Sequence, residues 1–149
     1  MKIKEVMVRD VVSIKPQENA YAAWQILTNM QISGLPVINA EGKLVGMFTE
    51  KEILAHMLPS YIENVGKFIY KENPKSTKKK FSEFKSMAVS QLMRREVVTT
   101  TEDMTLCEVA RVMLTQKVRR MPVLDKSGTV VGMIARCDVL KALAGESDV

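Results

Sequence analysis

The sequence predicts an α+β fold made of two β-α-β-β-α repeats packed face to face with pseudo-two-fold symmetry, and three observations carry that prediction. Shifting the chain by 86 positions lays residues 3–57 over residues 89–143 without a gap. Each copy changes its apolar period in the same order, from an extended stretch to helical spacing, to two short strand-like runs, and back to helical spacing. Neither copy is large enough to bury a sheet and two helices comfortably alone, which requires a second copy against it.

The matches cluster where backbone geometry is most demanding. Met7 falls on Met93, Arg9 on Arg95, Val11-Val12 on Val97-Val98, Pro36-Val37 on Pro122-Val123, Gly42 on Gly128, and Val45-Gly46-Met47 on Val131-Gly132-Met133. Val11 to Ile14 and Val97 to Thr100 read as the first extended segments. Helices follow from about Asn19 and Thr105. Ala20, Ala23, Trp24 and Leu27 share one helical face, as do Leu106, Val109, Ala110, Met113 and Leu114. Asn19 can cap the first helix, and Thr105 with Glu108 has the spacing of a capping box at the second. "LPVIN" (35–39) with "KLVGMF" (43–48), and "MPVLD" (121–125) with "TVVGMI" (129–134), read as strand hairpins around Gly42 and Gly128, which can take positive φ. A last helix ends each copy, from about Thr49 to Met57 and from Ala135 to Ala144.

The chain divides into repeat 1 (1–57), an insert (58–88) and repeat 2 (89–149). Its 46% hydrophobic and 26% charged residues are those of an ordinary globular protein. No apolar run approaches the roughly 18 residues of a membrane helix, and Met1-Lys-Ile-Lys-Glu5 lacks the apolar core of a signal peptide, so a soluble cytoplasmic protein is expected. Cys107 and Cys137 form no pair of metal-ligand spacing and read as reduced core or helix-start residues. With His56 the only histidine, no nucleophile and base pair stands out, so neither catalysis nor a metal is expected.

The order of extended segment, helix, "h-P-V-h-[DN]", Gly turn and "V-G-h-h-[TS]-x-x-[DE]", present twice, resembles the CBS domain, whose tandem pairs are called Bateman modules. Ile3 to Met7 and Val89 to Met93 are similar to the short lead-in of such repeats. The resemblance implies a regulatory module that binds an adenosine-containing ligand, AMP, ADP, ATP or S-adenosylmethionine, in clefts between the repeats. It also implies a homodimer.

The resemblance places Thr49 and Glu52 of repeat 1, and Asp138 of repeat 2, at positions that reach phosphate and ribose. A carboxylate can accept both hydroxyls of a cis-diol, and a helix N-terminus offers free N–H groups to phosphate. Thr49-Glu50-Lys51-Glu52 is equally a T-x-x-E capping box, which would explain both side chains with no ligand. Ala135 replaces the threonine in repeat 2 and removes the reciprocal cap, so capping alone is not expected to account for Asp138. Arg119 and Arg120, before the Pro-Val strand, suit phosphate oxygens through their planar forks. In related modules the acid of one repeat faces the basic segment of the other. This implies one cleft with Thr49, Glu52, Arg119 and Arg120, and a second with Asp138, Ser33 and Arg136. Ser13 and Thr99 are weaker candidates for adenine or sugar contact, with exposed turn positions as the alternative.

The insert holds seven Lys and three Glu, and five of the eight aromatics: Tyr61, Phe68, Tyr70, Phe81 and Phe84. Bases interleaved with aromatics can bind single-stranded nucleic acid. A solvated linker, helical in parts, whose aromatics pack over the rest of the chain is favoured over that. The expected function is adenosyl-ligand sensing on behalf of a regulated partner that the sequence does not name. A nucleic-acid-binding module using the insert and a purely structural dimerisation module are the alternatives.

Overall fold

The computed structural model describes residues 1–58 and 74–145. The helices among them are α1 (Ala20–Met30), α2 (Glu50–Met57), α3 (Pro74–Phe84), α4 (Val89–Leu92), α5 (Leu106–Thr115) and α6 (Arg136–Leu143), after a single 3-10 turn at Ile3–Glu5. The strands are β1 (Gly34–Ile38), β2 (Leu44–Thr49), β3 (Thr100–Thr101), β4 (Arg120–Leu124) and β5 (Val130–Ala135). The expected α+β class and the order of elements in both copies are present.

Two compact units form. Unit A comprises Ile14–Val37 and Val45–Arg95; unit B comprises Met1–Ser13, Ile38–Leu44 and the chain from Glu96 onward.

In unit A, α1 begins where the Asn19 side chain accepts the Ala22 amide at 2.9 Å and donates to the Lys85 carbonyl at 2.8 Å. The helix ends on Gln31, whose left-handed φ of 55° turns the chain toward β1. Ala20, Ala23 and Leu27 bury one face of α1 against Leu35, Val37 and Phe48 of the hairpin. The first extended segment is shorter than expected, with Ile14 bridging Val37 in parallel register and no strand over 11–13.

The second half of the insert is part of this unit. Phe84 is fully buried in the unit A core, and Phe81 packs against that core. Tyr21, Trp24, Phe81 and Phe84 form a cluster with ring centroids 5.6 to 6.5 Å apart. The Lys85 ammonium lies 5.5 and 5.3 Å from the centroids of Tyr21 and Phe81, within cation–π range. Tyr61, Phe68 and Tyr70 lie outside the described residues.

Unit B repeats the plan. The Thr105 hydroxyl accepts the Glu108 amide at 3.2 Å and donates to the Glu108 carboxylate at 3.0 Å. Leu106, Val109 and Met113 bury one face of α5 against Met121, Val123 and Ile134. Leu114, expected on that face, is instead 73% exposed, because Leu106, Val109 and Met113 already fill the stripe. β3 pairs in parallel with β4 through Thr100 and Val123, the counterparts of Ile14 and Val37. β4 pairs antiparallel with β5, with an irregularity between Val123 and Leu124.

Each lead-in joins the unit built around the other copy. Ile3 and Met7 are core residues of unit B, and Val8 bridges Met133 antiparallel. Val89 and Met93 are core residues of unit A, and Arg94 makes the matching bridge to Met47. Gly132 and Gly46 permit this approach. A Cβ on Gly132 would lie 2.6 Å from the Met7 sulfur, and one on Gly46 would lie 2.8 Å from the Arg94 carbonyl oxygen.

The hairpin turns show the expected positive φ, 77° at Gly42 and 83° at Gly128. Both turns belong to unit B, where Lys43 bridges Thr129. Asn39 Oδ1 accepts the amides of Glu41 and Lys43, and its counterpart Asp125 does the same for Ser127 and Thr129.

Candidate ligand-binding site

α2 and α6 start at equivalent places, directly after the second strand of a hairpin, and each start is tied to the residue that precedes the first strand. In unit A the Glu50 amide donates to the Ser33 carbonyl at 3.1 Å; in unit B the Arg136 amide donates to the Arg119 carbonyl at 3.0 Å. One corner of unit A therefore gathers Ser33, Gly34, Thr49, Glu50 and Glu52. The matching corner of unit B gathers Arg119, Arg120, Ala135, Arg136 and Asp138.

Cross-strand packing accounts for the Thr-to-Ala difference. A Cβ on Gly34 would lie 2.7 Å from the Thr49 Cγ2, so the glycine makes room for the threonine. In unit B the residue at the glycine's position is Arg120, and it stands directly across the ladder from Ala135. A bulky residue on one strand is matched by a small one on the other.

The acids are held differently. Thr49 makes no side-chain bond to an amide of α2; its hydroxyl donates to the Glu52 carboxylate instead. The reciprocal capping box expected there does not form. Asp138 Oδ2 accepts the Ala135 amide at 2.8 Å. One half of a capping box thus survives the loss of the threonine, which corrects the expectation that capping does not account for Asp138. That bond fixes the half-buried carboxylate at the helix start, and its second oxygen is 4.0 Å from the Cys137 sulfur.

Arg136 Nε donates to the Val118 carbonyl at 3.2 Å, which anchors the guanidinium. Arg119 is exposed and Arg120 half-buried, and among the described residues neither has a carboxylate within 4.0 Å. In unit A, Ser33 and Glu50 border an open depression whose other walls are Leu27, Thr28, Gln31 and Ile32. Ser13 is exposed and Thr99 half-buried.

Thr100 was not anticipated. It is 6% exposed, and its hydroxyl has no hydrogen-bond partner among the described residues. It occupies the place of core Ile14 in the other copy. A hydroxyl at an apolar core position is legible only once the two copies are aligned. His56 Nε2 is likewise buried without a partner there. Cys107 and Cys137 sit in the first turns of α5 and α6 as exposed free thiols. The described residues include no group of three or more His, Cys, Asp or Glu placed to hold a metal. None of their helices is long and apolar enough to cross a membrane.

The CBS-domain profile matches residues 3–59 and 89–145. The chain belongs to the CBS-domain family. The uncharacterized protein MJ1426 of Methanocaldococcus jannaschii is 30% identical over 96% of this chain and 91% of its own length. Among solved structures, CBSX2 of Arabidopsis thaliana in complex with AMP has a TM-score of 0.75 at 24% identity, covering 97% of both chains. The CBS domain pair of protein MJ0100, in complex with 5′-methylthioadenosine and S-adenosylmethionine, has a TM-score of 0.70 at 22% identity, covering 98% of both. These likenesses are of fold. This chain is a CBS pair, and its two helix-start corners are the same element in two copies.

Proposed function

We propose that this CBS pair is a regulatory module that senses an adenosine-containing ligand, AMP, ADP, ATP or S-adenosylmethionine, and has no catalytic step of its own. The observation that carries the reading is the unit B corner. Asp138 is fixed by the Ala135 amide, its other oxygen meets the Cys137 thiol and no backbone donor among the described residues, and Arg119 and Arg136 are joined to the same helix start. A ribose diol could bind the carboxylate, and a phosphate the guanidiniums. Thr49 and Glu52 form the equivalent set in unit A, and Arg120, Ser13 and Thr99 are assigned as subsidiary contacts.

Titration calorimetry with AMP, ADP, ATP and S-adenosylmethionine tests this. Saturable heat that is lost in Asp138→Ala and in the Arg119→Ala, Arg120→Ala double variant supports it; heats of dilution for all four sink it.

A homodimer is part of the proposal. Leu54 on α2 and its counterpart Leu140 on α6 are 63% and 65% exposed, and Leu58 and Leu143 extend the two apolar strips. A second copy is the occupant such paired strips suit. Sedimentation equilibrium of wild type against Leu54→Glu with Leu140→Glu tests it. The reading places the protein in the cytoplasm, acting on a separate regulated protein or through its own association.

The nucleic-acid alternative loses part of its basis. Phe81 and Phe84, which would have stacked on bases, are taken up by the unit A core.

A further inference from the structure

The two copies differ in what covers their first long helix. In unit A the chain comes to α1 from α3: the Ala20 amide donates to the Met87 carbonyl at 2.8 Å, Ala88 bridges Asn19, and Phe81 and Phe84 pack against Tyr21 and Trp24. Unit B repeats this approach in register. The Leu106 amide donates to the Met1 carbonyl at 3.0 Å, and Lys2 bridges Thr105. Among the described residues, however, unit B has no counterpart of α3. Cys107 and Ala110 stand where α1 has Tyr21 and Trp24, and with Leu114 they line a face of α5 on which Cys107 and Leu114 are exposed.

We infer that this face of α5 is the docking surface for a helix of another protein, one that carries two aromatic side chains a turn apart and a carboxylate opposite Arg111. The other copy shows the seat filled. There Phe81 and Phe84, three residues apart on one helix, meet Tyr21 and Trp24, three residues apart on the other. On α5 both ring positions hold small side chains, so a close-packed occupant has to supply the bulk itself. Arg111 lies one turn beyond Cys107 and three residues before Leu114, on the same face. It is exposed and has no carboxylate within 4.0 Å among the described residues, since Glu108, a turn before it, accepts the Thr105 hydroxyl. Its counterpart on the covered helix is the neutral Gln25. The charge thus belongs to the open face and selects an acidic partner. A second copy does not fit this description, because its Phe81 and Phe84 are packed into its own unit A and Lys78, Lys79 and Lys80 make its α3 basic. The inference gives the regulated protein a place to bind, and it holds whether or not an adenosyl ligand does.

The probe is a synthetic peptide of residues 74–87 carrying Lys78→Glu, Lys79→Glu and Lys80→Glu, which keeps Phe81 and Phe84 and reverses the charge. It is titrated into the full chain by fluorescence anisotropy, with melting temperature and sedimentation equilibrium recorded for each variant. The expected result is saturable binding that weakens roughly tenfold in Leu114→Glu and in Ala110→Trp, the second of which places there the side chain of its counterpart Trp24. Arg111→Gln weakens it about threefold, and Arg111→Lys recovers part of the loss. The unaltered peptide, basic at the same positions, binds more weakly. In a Cys137→Ser background, bound peptide slows alkylation of the Cys107 thiol. Leu114 and Arg111 are exposed, so their variants carry the test even if Ala110→Trp does not fold. No saturation below about 1 mM, or binding indifferent to Leu114→Glu, overturns the inference. A loss of the protein's own association in Leu114→Glu also overturns it, because the occupant is then a second copy.

Discussion

The hydroxyl of Thr49 donates to the carboxylate of Glu52 three residues along, and it accepts no amide of α2. Thr105, in the same type of T-x-x-E segment, does accept the amide of Glu108. The two threonines should therefore differ in what they contribute to stability. Thr105→Ala is expected to cost about 1 kcal/mol, as loss of an N-cap does, and Thr49→Ala a few tenths. Urea denaturation of the two variants measures this, and equal losses would show that Thr49 caps α2 after all.

Asp138 has a backbone bond that asparagine can keep. Asp138→Asn retains an acceptor for the Ala135 amide but loses the charge, whereas Asp138→Ala loses both. We expect Asp138→Asn to stay within about 0.5 kcal/mol of wild type in stability and Asp138→Ala to fall by about 1 kcal/mol. If both variants lose AMP affinity alike, the carboxylate serves the ligand as well as the helix.

The aromatic cluster makes α3 a structural element. Phe84→Ala should destabilise the protein by about 3–5 kcal/mol and shift the emission of Trp24, the sole tryptophan, which packs against the same ring. Replacing Lys78, Lys79 and Lys80 together by Ala should leave the denaturation midpoint within about 0.5 kcal/mol of wild type, since Lys78 and Lys79 are exposed and Lys80 half-buried. A large loss from the lysine variant would mean that the helix is held by charge.

The Asp125 turn gives a pH dependence with a defined sign. The Ser127 hydroxyl, then the Thr129 amide, hold the Asp125 carboxyl below its ordinary value of 3.8; burial opposes them, and the Ser127 amide and the charge of Lys43 add lesser lowering effects. A carboxyl lowered in the folded state contributes stability at pH above its unfolded value, and that contribution is lost as pH falls through the folded one. Acid denaturation should therefore be shallower below about pH 4 in Asp125→Asn than in wild type. Asn39 already fills the matching place in the other turn without a charge, so the variant is expected to fold. Thermal melts across pH 2 to 6 provide the comparison.

Gly132→Ala places a methyl against the Met7 sulfur and the Val8 carbonyl oxygen. The sulfur can yield, but the backbone oxygen, 3.0 Å away, cannot move without breaking the Val8–Met133 bridge. A loss of about 1–3 kcal/mol is expected from chemical denaturation.

Much of the fold was legible because the copies check each other. Pro36-Val37 with Pro122-Val123, and Gly42 with Gly128, mark the same hairpin twice, and both glycines take the positive φ that their turns require. Helix starts were legible from Asn19 and Thr105, whose side chains do cap. Periodicity overreached at Leu114, because a helical stripe marks an apolar face without saying how wide a face the neighbouring strands will cover. The two helix starts that carry the candidate site were legible as positions. What Thr49 and Asp138 bond to was not, since a hydroxyl can turn to a carboxylate or to an amide, and letters do not choose between acceptors. The corner of Arg119, Arg136 and Asp138 depends on a backbone bond between residues far apart in sequence, and the alignment of the copies gives no sign of it.

The exchange of lead-ins bears on how the chain is made. The amide of Ile3 bonds the Met104 carbonyl, about a hundred residues later, and its side chain packs into a core completed by Val139 and Ala142. Unit A is assembled from residues between Ile14 and Arg95 and can close while the rest is still being translated. Unit B must keep its opening segment unburied until residues as far as Ala142 have emerged. A single loop-closure step of that length should dominate the refolding rate, and shortening the distance, by moving Met1–Ser13 to the other end through circular permutation, should speed it.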